Sequence, residues 1–397
     1  MKVVVFTEFF EHDKNSAGKH MSDIVLELSK KYSQIDVFSI YKHEIIEKNN
    51  WPKNINIYNL GLSLDAKSNY YFLRFFVELS ISVRAFIKIF KLKKLFYYNR
   101  IIWYSPTIFW GPVVLMLSIF KKSKKYLILR DIFPQWAVDL ELIKKNSLQN
   151  FILSFFEKLQ YIAADTIAIQ SEGNKLYFNN SKRNKKKLTI LRTWYDIDYK
   201  NIIELPSYID EKINFDKKVL VYIGNLGIAQ DQKLILNLIH EMKIYRDFHF
   251  VLIGQKDSDQ INIIKYKDKK NLQNLTVLNA IDQKYVHSIC RKSYLGLFAL
   301  DRRHTTHNIP GKFLQYISCG LPVFGLCGDG DIVDIINKNN FGKTYIGDKP
   351  SEAKKTLLNL IDNIDKNHIN IDNMKSYITN SLSTKLAAEK IYNNLES

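Results

Sequence analysis

The chain has 397 residues, of which 46% are hydrophobic and 25% are charged, and its formal net charge is +18. This length predicts two domains, and this composition excludes an extended disordered protein. The positive charge fits a nucleic acid, an anionic lipid surface or a phosphorylated substrate as partner. Lysine is spread along the whole sequence, so a general compositional bias explains part of the charge equally well.

The first half of the sequence alternates short apolar runs with helical patterns. Strands are predicted at KVVVF, IDVFSI, IIWY, YLILR, TIAIQ and TIL. The start, MKVVVFTEFF, lacks the long apolar core of a signal peptide, so we expect it to be the first strand. Such alternation predicts an α/β domain with a parallel sheet covered by helices on both faces, and we assign it residues 1–195.

Two apolar segments of this half allow more than one interpretation. Residues 101–120 contain no charge and could span a bilayer by length alone, but prolines and a glycine interrupt them. A strand followed by a core helix is therefore favoured there. Residues 70–94 mix apolar and charged side chains, which fits an interfacial amphipathic helix or a core helix with a solvated edge.

The alternation stops at the polar stretch 196–218, which we interpret as a linker, and then restarts. VLVYIG, FHFVLIG, LTVL, YLGLFAL and PVFGL predict the strands of a second doubly wound domain over residues 219–373. Residues 374–397 predict one last helix, which we expect to pack back on the first domain. Two such sheets are expected to face each other across a cleft lined by the carboxyl ends of their strands.

The helix that begins in HNIPGKFLQYISCGLPV has the most informative start. Pro310 opens it, Gly311 leaves the backbone bare, and Lys312 adds a cation. The first N–H groups of a helix have no partner within it, and the helix dipole favours an anion there by about 0.3–1 kcal/mol. A charge-assisted bond from Lys312 adds about 1.5–3 kcal/mol. The sequence therefore predicts a diphosphate at this helix, with Gln315 one turn further on as a partner for a ribose hydroxyl.

Other candidate residues follow the predicted strands directly, where open α/β sheets bind their ligands. Asp131 follows YLILR and is a candidate base or acceptor for substrate hydroxyls, although a helix cap or a partner for Arg130 is the alternative. The remaining candidates stand after the other strands: Gly18, Gly224, Asn225, Gln230, Gln255 and Arg303. A metal site is not expected, because no third ligand accompanies the histidines of HTTH and the DGD and DID triplets are too short to be specific.

These stretches resemble the retaining, metal-independent glycosyltransferase family 4, which has the GT-B architecture of two Rossmann-like domains. The resemblance rests on RDIFPQW, YIGNLGIAQD, FVLIG and above all IPGKFLQYISCGLPV, and it covers nearly the whole chain. It is closest to bacterial transferases of O-antigen and capsule synthesis, including those for acetamido sugars of the L-fucosamine type. The resemblance adds His307 and Ile309 to the donor-binding residues.

Several positions depart from the pattern of that family. Its members commonly carry a pair of glutamates where this chain has His307 and Gln315, and an arginine and a lysine where it has Asn225 and Gln230. A polar amide keeps hydrogen bonding but loses the charge, so we expect more of the diphosphate charge to fall on Lys312 and the arginines after YLGLFAL.

The resemblance implies transfer of a sugar from a nucleoside diphosphate, first of all a UDP-N-acetylated sugar, to a hydroxyl of a polyprenyl-diphosphate-linked saccharide. It implies no cofactor, with Asp131 and Lys312 as catalytic residues, and a cytoplasmic protein held at the anionic inner leaflet of the membrane. The alternative is a catalytically inactive glycosyltransferase-like subunit, motivated by the departures above. A nucleic-acid binder is disfavoured because no recognisable binding module is present.

Overall fold

The computed structural model describes residues 1–10, 16–41, 51–62, 71–197, 203–227, 229–254, 257–306 and 309–397. These residues form two compact units. Unit 1 comprises Met1–Trp194 together with Thr384–Ser397, and unit 2 comprises Tyr195–Ser383.

Unit 1 is built on a seven-stranded parallel sheet in the order β3-β2-β1-β4-β5-β6-β7. Its strands are β1 (Lys2–Thr7), β2 (Gln34–Tyr41), β3 (Ile55–Leu62), β4 (Arg100–Ser105), β5 (Lys124–Leu129), β6 (Thr166–Ile169) and β7 (Leu188–Ile190). The central strands are rich in Val and Ile and buried on both faces, as parallel sheets require.

Helices connect these strands and cover both faces of the sheet. They are α1 (Ser16–Ser29), α2 (Tyr71–Lys91), α3 (Gly111–Phe120), α4 (Gln135–Asp139), α5 (Leu148–Ala163) and α6 (Lys182–Lys185), with a 3₁₀ helix at Gly173–Phe178. One apolar cluster lies between the sheet and α2 and α3, and a second lies on the opposite face against α1. The favoured interpretation of residues 101–120 is confirmed, since they form β4 and the ten-residue α3.

Unit 2 repeats the plan with a six-stranded parallel sheet in the order β10-β9-β8-β11-β12-β13. Its strands are β8 (Lys218–Ile223), β9 (Phe248–Ile253), β10 (Leu275–Leu278), β11 (Leu295–Ala299), β12 (Val323–Leu326) and β13 (Gly342–Tyr345). Its helices are α7 (Ser207–Asp210), α8 (Gln232–Glu241), α9 (Asp257–Lys270), α10 (Gln283–Lys292), α11 (Gly311–Ser318), α12 (Asp331–Asn339), α13 (Pro350–Asp365) and α14 (Ile371–Ser381). The prediction of two Rossmann-like α/β units is confirmed.

The last helix, α15 (Thr384–Glu396), belongs to unit 1 and packs against α1. Its Ala388 and Ile391 join the apolar cluster on that face of the sheet. Its Glu396 receives two hydrogen bonds from Arg100, of 3.1 and 2.8 Å, and one of 3.1 Å from the Tyr32 hydroxyl. The partly buried ion pair fixes the end of α15 beside the start of β4.

The structure corrects the predicted elements in three places. Residues 374–397 do not form one helix, because α14 ends at Ser381 and α15 begins at Thr384, where hydroxyl and amide side chains compete with helical hydrogen bonds. The stretch 203–218 is not purely a polar linker, since Ile209 and Ile213 lie in the core of unit 2. The edge strands β3 and β13 carry polar residues among apolar ones, and no strand was predicted at either position.

Candidate functional site

The order of strands in unit 2 reverses between β8 and β11, which are neighbours in the sheet but not in the sequence. Ligands of open α/β sheets bind at such a switch point, beyond the carboxyl ends of the strands. Gly224 follows β8 directly, and its φ of +101° lies in the left-handed region that side chains disfavour. The glycine therefore allows the chain to turn sharply away from the sheet directly beside the switch point.

Helix α11 is held across these strand ends by the buried side chain of Tyr316. The Tyr316 hydroxyl accepts a hydrogen bond of 2.9 Å from the Ile223 N–H and donates one of 3.0 Å to the Leu297 carbonyl. A Cβ on Gly296 would lie only 2.5 Å from the Tyr316 ring, so a glycine is needed for the ring to pack against β11. The start of α11 is thereby fixed relative to both strands of the switch point.

Lys312 lies in the first turn of α11 and reaches back to the end of β8. Its Nζ donates a 2.6 Å hydrogen bond to the hydroxyl of Tyr222 and lies 3.9 Å from the centroid of that ring. The Tyr222 hydroxyl in turn donates to the carbonyl of Asn225 over 3.2 Å. Lys312 is also the nearest neighbour of the space that a Cβ on Gly224 would occupy.

Burial lowers the pKa of Lys312 to about 7. A neighbouring carboxylate would raise this pKa, but desolvation is its only resolved cause in the described part of unit 2. The Tyr222 hydroxyl is neutral at ordinary pH, since its burial raises the pKa of the phenol further. The lysine therefore occupies a position where an added anion would stabilise its charged form.

The beginning of α11 is open. Pro310 occupies the N-cap position, and no side chain caps the helix. Gly311 is exposed, and a Cβ placed on it would meet no atom within 4 Å. Gln315 is only 8% exposed, and its Nε2 has no hydrogen-bond partner among the described residues. Because a buried amide donor without a partner is costly, a ligand that accepts from Gln315 would stabilise this arrangement.

The loop after β8 is organised by its own side chains. The Gly227 N–H donates to Gln230 Oε1 over 3.0 Å, and a Cβ on Gly227 would lie 2.7 Å from Nδ2 of Asn225. Asp231 caps α8 by accepting from the Leu234 N–H at 3.1 Å. The structure therefore gives Asn225 and Gln230 places within the loop turn, beside Gly224.

The two arginines after β11 are paired with carboxylates. Arg303 forms two hydrogen bonds with Asp301, of 3.0 and 2.8 Å, and these bonds hold the pKa of that carboxyl below its ordinary value. Arg302 lies 3.5 Å from Asp348. Either arginine would have to exchange its carboxylate for a ligand phosphate, whereas Lys312 would not.

A small pocket opens at the ends of β11 and β12, where α12 begins. Backbone and side chains of Leu300, Asp301, His304 and residues 327–332 line it. Asp301 of this lining is paired with Arg303, and Asp329 and Asp331 add further carboxylate oxygens that can accept hydrogen bonds from hydroxyl and amide donors.

Asp131 lies in unit 1, just beyond the end of β5, next to the buried Arg130. Arg130 donates from Nη1 to the Leu191 carbonyl at 3.1 Å and to Thr193 Oγ1 at 3.2 Å. Its guanidinium carbon lies 4.6 Å from the ring of Trp194. Nε and Nη2 lack a well-oriented partner among the described residues.

The charge of Arg130 affects its titratable neighbours. Burial and then Arg130 lower the pKa of His20 to about 3, so this histidine is neutral. Burial raises the pKa of Tyr104 to about 12, although Arg130 opposes that rise. Asp131 therefore stands at a strand end where a permanent positive charge lies close by.

The other predicted site residues are distributed as follows. Gly18 is buried in the first turn of α1 in unit 1, and Ile309 is buried in the core of unit 2 just before α11. Gln255 and His307 lie outside the described residues, so their predicted roles remain predictions. The structure thus gathers Gly224, Asn225, Gln230, Pro310, Gly311, Lys312 and Gln315 around the start of α11 and the end of β8.

Sequence reasoning missed the tyrosines that position the lysine. Tyr316 stands four residues after Lys312 in α11, which places both side chains on one face of the helix. That spacing is the signal from which Tyr316 could have been predicted as a neighbour of Lys312. Tyr222 lies within VLVYIG and reads only as a strand residue. The sequence suggests Arg130 only as a partner for Asp131, and nothing in it indicates that this arginine is buried.

The sequence and the fold of this chain are similar to those of known glycosyltransferases. The family described as "Glycosyl transferases group 1" matches residues 217–363, within unit 2. No curated protein sequence matches the chain significantly.

Many solved structures match nearly the whole chain at low sequence identity. Sucrose-phosphate synthase from Thermosynechococcus elongatus matches with a TM-score of 0.74 at 11% identity, over 99% of this chain and 98% of that one. HepE from Anabaena in complex with UDP-glucose matches at 0.71 and 12%, over 100% and 99%. WaaG, a glycosyltransferase involved in lipopolysaccharide biosynthesis, matches at 0.71 and 12%, over 99% of each chain.

At these identities the solved structures show the fold, which is GT-B. The family match makes unit 2 a group 1 glycosyl transferase domain. The protein is accordingly an enzyme of the glycosyltransferase class, built on two Rossmann-like units.

Proposed function

We propose that the protein is a retaining, metal-independent glycosyltransferase that binds a nucleoside diphosphate sugar in unit 2. The observation that carries this proposal is Lys312, a part-buried cation in the first turn of α11 whose pKa burial lowers to about 7. A diphosphate at the uncapped start of α11 would meet the Lys312 ammonium, free backbone N–H groups and the bare surface of Gly311.

The same residues explain how the chemistry would proceed. When the bond between sugar and diphosphate breaks, negative charge grows on the leaving phosphate. A preorganised ammonium group and helix N–H groups stabilise that charge more than they stabilise the bound donor, which lowers the barrier. The unpartnered amide of Gln315 would donate to a ribose hydroxyl, and the carboxylate-lined pocket beyond β11 and β12 would accept from hydroxyl and amide groups of the sugar.

The proposed donor is UDP linked to an N-acetylated sugar. HepE is known in complex with UDP-glucose, and an Escherichia coli structure of similar fold, with a TM-score of 0.73, is described as bound with UDP-2-fluoro glucose. These ligands support uridine as the first base to test. Retention of configuration and the N-acetyl group rest on the resemblance to family 4 acetamido-sugar transferases.

Asp131 is the proposed catalytic residue of unit 1, and Gly18 is its proposed donor-binding residue. The Asp131 carboxylate follows the buried Arg130 directly and could accept hydrogen bonds from the acceptor hydroxyl. We propose a polyprenyl-diphosphate-linked saccharide as acceptor in O-antigen or capsule synthesis. WaaG, of similar fold, is described as involved in lipopolysaccharide biosynthesis, which supports this acceptor class.

The three side-chain stripes of α2, two of which are exposed, support a membrane partner for such an acceptor. Ile81, Ala85 and Ile89 face the core, whereas Val83, Ile87 and Phe90 are exposed at spacings of four and three residues. Arg84, Lys88 and Lys91 form a third, exposed stripe at the same spacing. The sequence left two interpretations of this segment open, a core helix and an amphipathic surface helix. The described side chains of α2 have features of both, because one stripe is buried and two are exposed.

Exposed apolar side chains continue beyond α2 onto the helices beside it. α3 packs against both α2 and α5. Ile119 at the end of α3 is 81% exposed, and Phe96 is 69% exposed and stacks edge-on against Phe120 at 5.6 Å. On α5, Phe151 and Phe155 are exposed. We propose that this face of unit 1 lies on the anionic inner leaflet, where each Lys or Arg contributes about 1 kcal/mol. None of the helices in the described ranges combines the length and the apolar character that crossing a bilayer requires.

The donor proposal is tested by thermal stabilisation with a panel of nucleoside diphosphates, using wild type, Lys312→Ala and Lys338→Ala. Lys338 is an exposed lysine of α12 in the same unit and serves as the matched control. A ligand at one hundred times its dissociation constant stabilises by about 2.7 kcal/mol. We expect UDP to stabilise wild type and the Lys338 variant but not the Lys312 variant. Equal stabilisation of all three proteins would place the nucleotide elsewhere.

Turnover and membrane binding need separate measurements. Asp131→Asn should abolish sugar transfer while UDP stabilisation persists, and binding without transfer in wild type would favour the inactive-subunit alternative.

Vesicles of phosphatidylcholine and phosphatidylglycerol should retain wild type at low salt and lose Phe90→Ser. Ile244→Ser, which changes an exposed residue of unit 2, should remain bound. Retention of all three on pure phosphatidylcholine would contradict the anionic surface.

A further inference from the structure

The three cysteines of the chain all lie in unit 2 and are free thiols, yet their surroundings differ. Cys290 is buried on α10, Cys319 is partly exposed at the end of α11, and Cys327 is buried just after β12. Two of them form a cluster with a histidine, while the third does not. This difference within one unit allows chemistry at one sulfur to be compared with an internal control.

The cluster is assembled by two helices. His287 and Cys290 stand three residues apart on α10, so both side chains point toward the same side of that helix. Cys319 occupies the C-cap position of α11, and its Sγ lies 3.3 Å from Nδ1 of His287. Cys290 and Cys319 are also close enough that each shifts the pKa of the other. Nε2 of His287 lies 3.4 Å from the Tyr195 hydroxyl.

These contacts divide the roles of the two sulfurs. The hydrogen bond from the Cys290 thiol, followed by that from His287, lowers the pKa of Cys319 below its ordinary value, although burial opposes the shift. The same bond, together with burial, raises the pKa of Cys290. Cys319 is therefore the more acidic of the two thiols and the one that solvent reaches, while Cys290 is buried. A thiolate is the nucleophilic form of cysteine.

Cys327 provides the contrast. It is buried, and burial followed by the charge of Asp329 raises the pKa of its thiol to about 12. No histidine is recorded as its hydrogen-bond partner in the described part of unit 2. A thiol in this setting is inert at neutral pH.

We propose that Cys319 is a peroxide-reactive site and that Cys290 is its resolving thiol. The Cys319 thiolate attacks one oxygen of hydrogen peroxide, the O–O bond breaks, and Cys319 becomes a sulfenic acid while the released hydroxide takes up a proton to form water. Cys290 then gives up its proton and attacks the sulfenic sulfur, and the S–O bond breaks to release a second water. The peroxide is reduced by two electrons, and the two thiols become one disulfide.

This disulfide would link α10 to the end of α11 opposite to Lys312. In that disulfide the two sulfurs would lie about 2 Å apart. The site is separate from the proposed donor residues at the start of the helix, so its chemistry is measurable without any nucleotide.

The test uses the full chain, reduced and then treated with hydrogen peroxide at pH 7, followed by alkylation and peptide mapping. We expect a disulfide between Cys290 and Cys319, with Cys327 alkylated in full. In the untreated protein, iodoacetamide should modify Cys319 at least tenfold faster than Cys327. Equal rates at the two cysteines, or peroxide oxidation that begins at Cys327, would overturn the proposal.

Two variants separate the steps. Cys290→Ser removes the resolving thiol, so a sulfenic acid should persist at Cys319 and be captured by dimedone. His287→Asn removes the donor nearest to the thiolate and should slow alkylation of Cys319 several-fold without changing that of Cys327. Melting temperatures identify variants that fail to fold. If well-folded Cys290→Ser gives no dimedone adduct at Cys319, the assignment of the reactive sulfur is wrong.

Discussion

Each unit holds a positively charged side chain just beyond the carboxyl end of its sheet, and the two are held differently. Arg130 in unit 1 is enclosed by the Leu191 carbonyl, the Thr193 hydroxyl and the Trp194 ring. Lys312 in unit 2 rests on one neutral phenol at the open start of a helix. Arg130 is therefore integrated into the fold of unit 1, whereas Lys312 gains its best partner only when an anion binds.

The comparison predicts opposite effects on stability when the two cations are removed. Arg130→Met should lower the free energy of unfolding by about 3 kcal/mol, because it leaves buried acceptors without a donor and removes packing against Trp194. Urea unfolding measures this change. Arg192→Met changes an exposed arginine of the segment after β7 that Arg130 contacts; it is the matched control and should stay within about 0.5 kcal/mol of wild type. An equal loss in both variants would mean that the segment as a whole, not the buried guanidinium, is sensitive.

A second prediction concerns Tyr316, the residue that attaches α11 to the sheet of unit 2. Tyr316→Phe removes one hydroxyl that serves two backbone groups, so unfolding should become easier by about 1–3 kcal/mol. UDP affinity should fall as well, since α11 loses its attachment to both strands. Tyr208→Phe alters an exposed tyrosine of the same unit and should leave both quantities unchanged. Normal stability of the Tyr316 variant would show that ring packing alone positions α11.

The third prediction tests Lys312 without ligand. The pKa of Lys312 is about 7 in the folded protein, against an ordinary value of 10.5. Between pH 7 and pH 10.5 the unfolded chain therefore binds more protons than the folded protein. The contribution of Lys312 to the free energy of unfolding rises with pH across that window. Lys312→Met removes the unfavourable buried charge. The variant should be more stable than wild type by about 1 kcal/mol below pH 7, allowing for solvent screening, and the difference should shrink toward pH 10.

Lys312→Arg completes that test, because a guanidinium keeps its charge throughout the range. From pH 7 to pH 9 the dissociation constant for UDP should rise about tenfold in wild type and stay nearly constant in the arginine variant. Isothermal titration at several pH values gives both curves. Parallel curves would show that Lys312 does not contact the phosphates.

The smallest effect is expected at Gln315. Gln315→Ala removes one hydrogen bond to the proposed ribose, which is worth about 1 kcal/mol or a fivefold loss of UDP affinity. Gln315→Glu replaces the amide donor by a carboxylate of similar shape that can accept from the same ribose hydroxyl, so it should bind within about threefold of wild type. A stronger effect of Glu than of Ala would indicate that the amide faces a phosphate instead of a ribose.

The sequence predicted the elements whose physical signals are local. α11 begins one residue after Pro310 and carries its apolar side chains at the predicted spacing, because a proline start and a Gly-Pro stop act within a few residues. β3 escaped prediction because an edge strand buries little of its surface and tolerates asparagine. The division of the last segment into α14 and α15 depends on which unit each helix packs against, which periodicity does not reveal.

The candidate site shows the same limit. Lys312 and Gln315 could be identified because an unusual residue stands at a recognisable helix start. Their supporting residues Tyr222 and Tyr316 could not, since a tyrosine in an apolar run reads as core, and its hydroxyl matters only once strands from distant parts of the sequence meet. The Cys319 cluster likewise joins two helices that are separated by a strand.

The return of α15 to unit 1 has a consequence for how the protein is made. Unit 1 cannot bury Ala388 and Ile391, or pair Arg100 with Glu396, until all of unit 2 has left the ribosome. Translation proceeds at about 5–20 residues per second, so nascent unit 1 carries an uncovered apolar surface beside α1 for roughly ten seconds or more. Unit 2, whose residues are contiguous, completes its own core first. The N-terminal unit is thus the last to be finished.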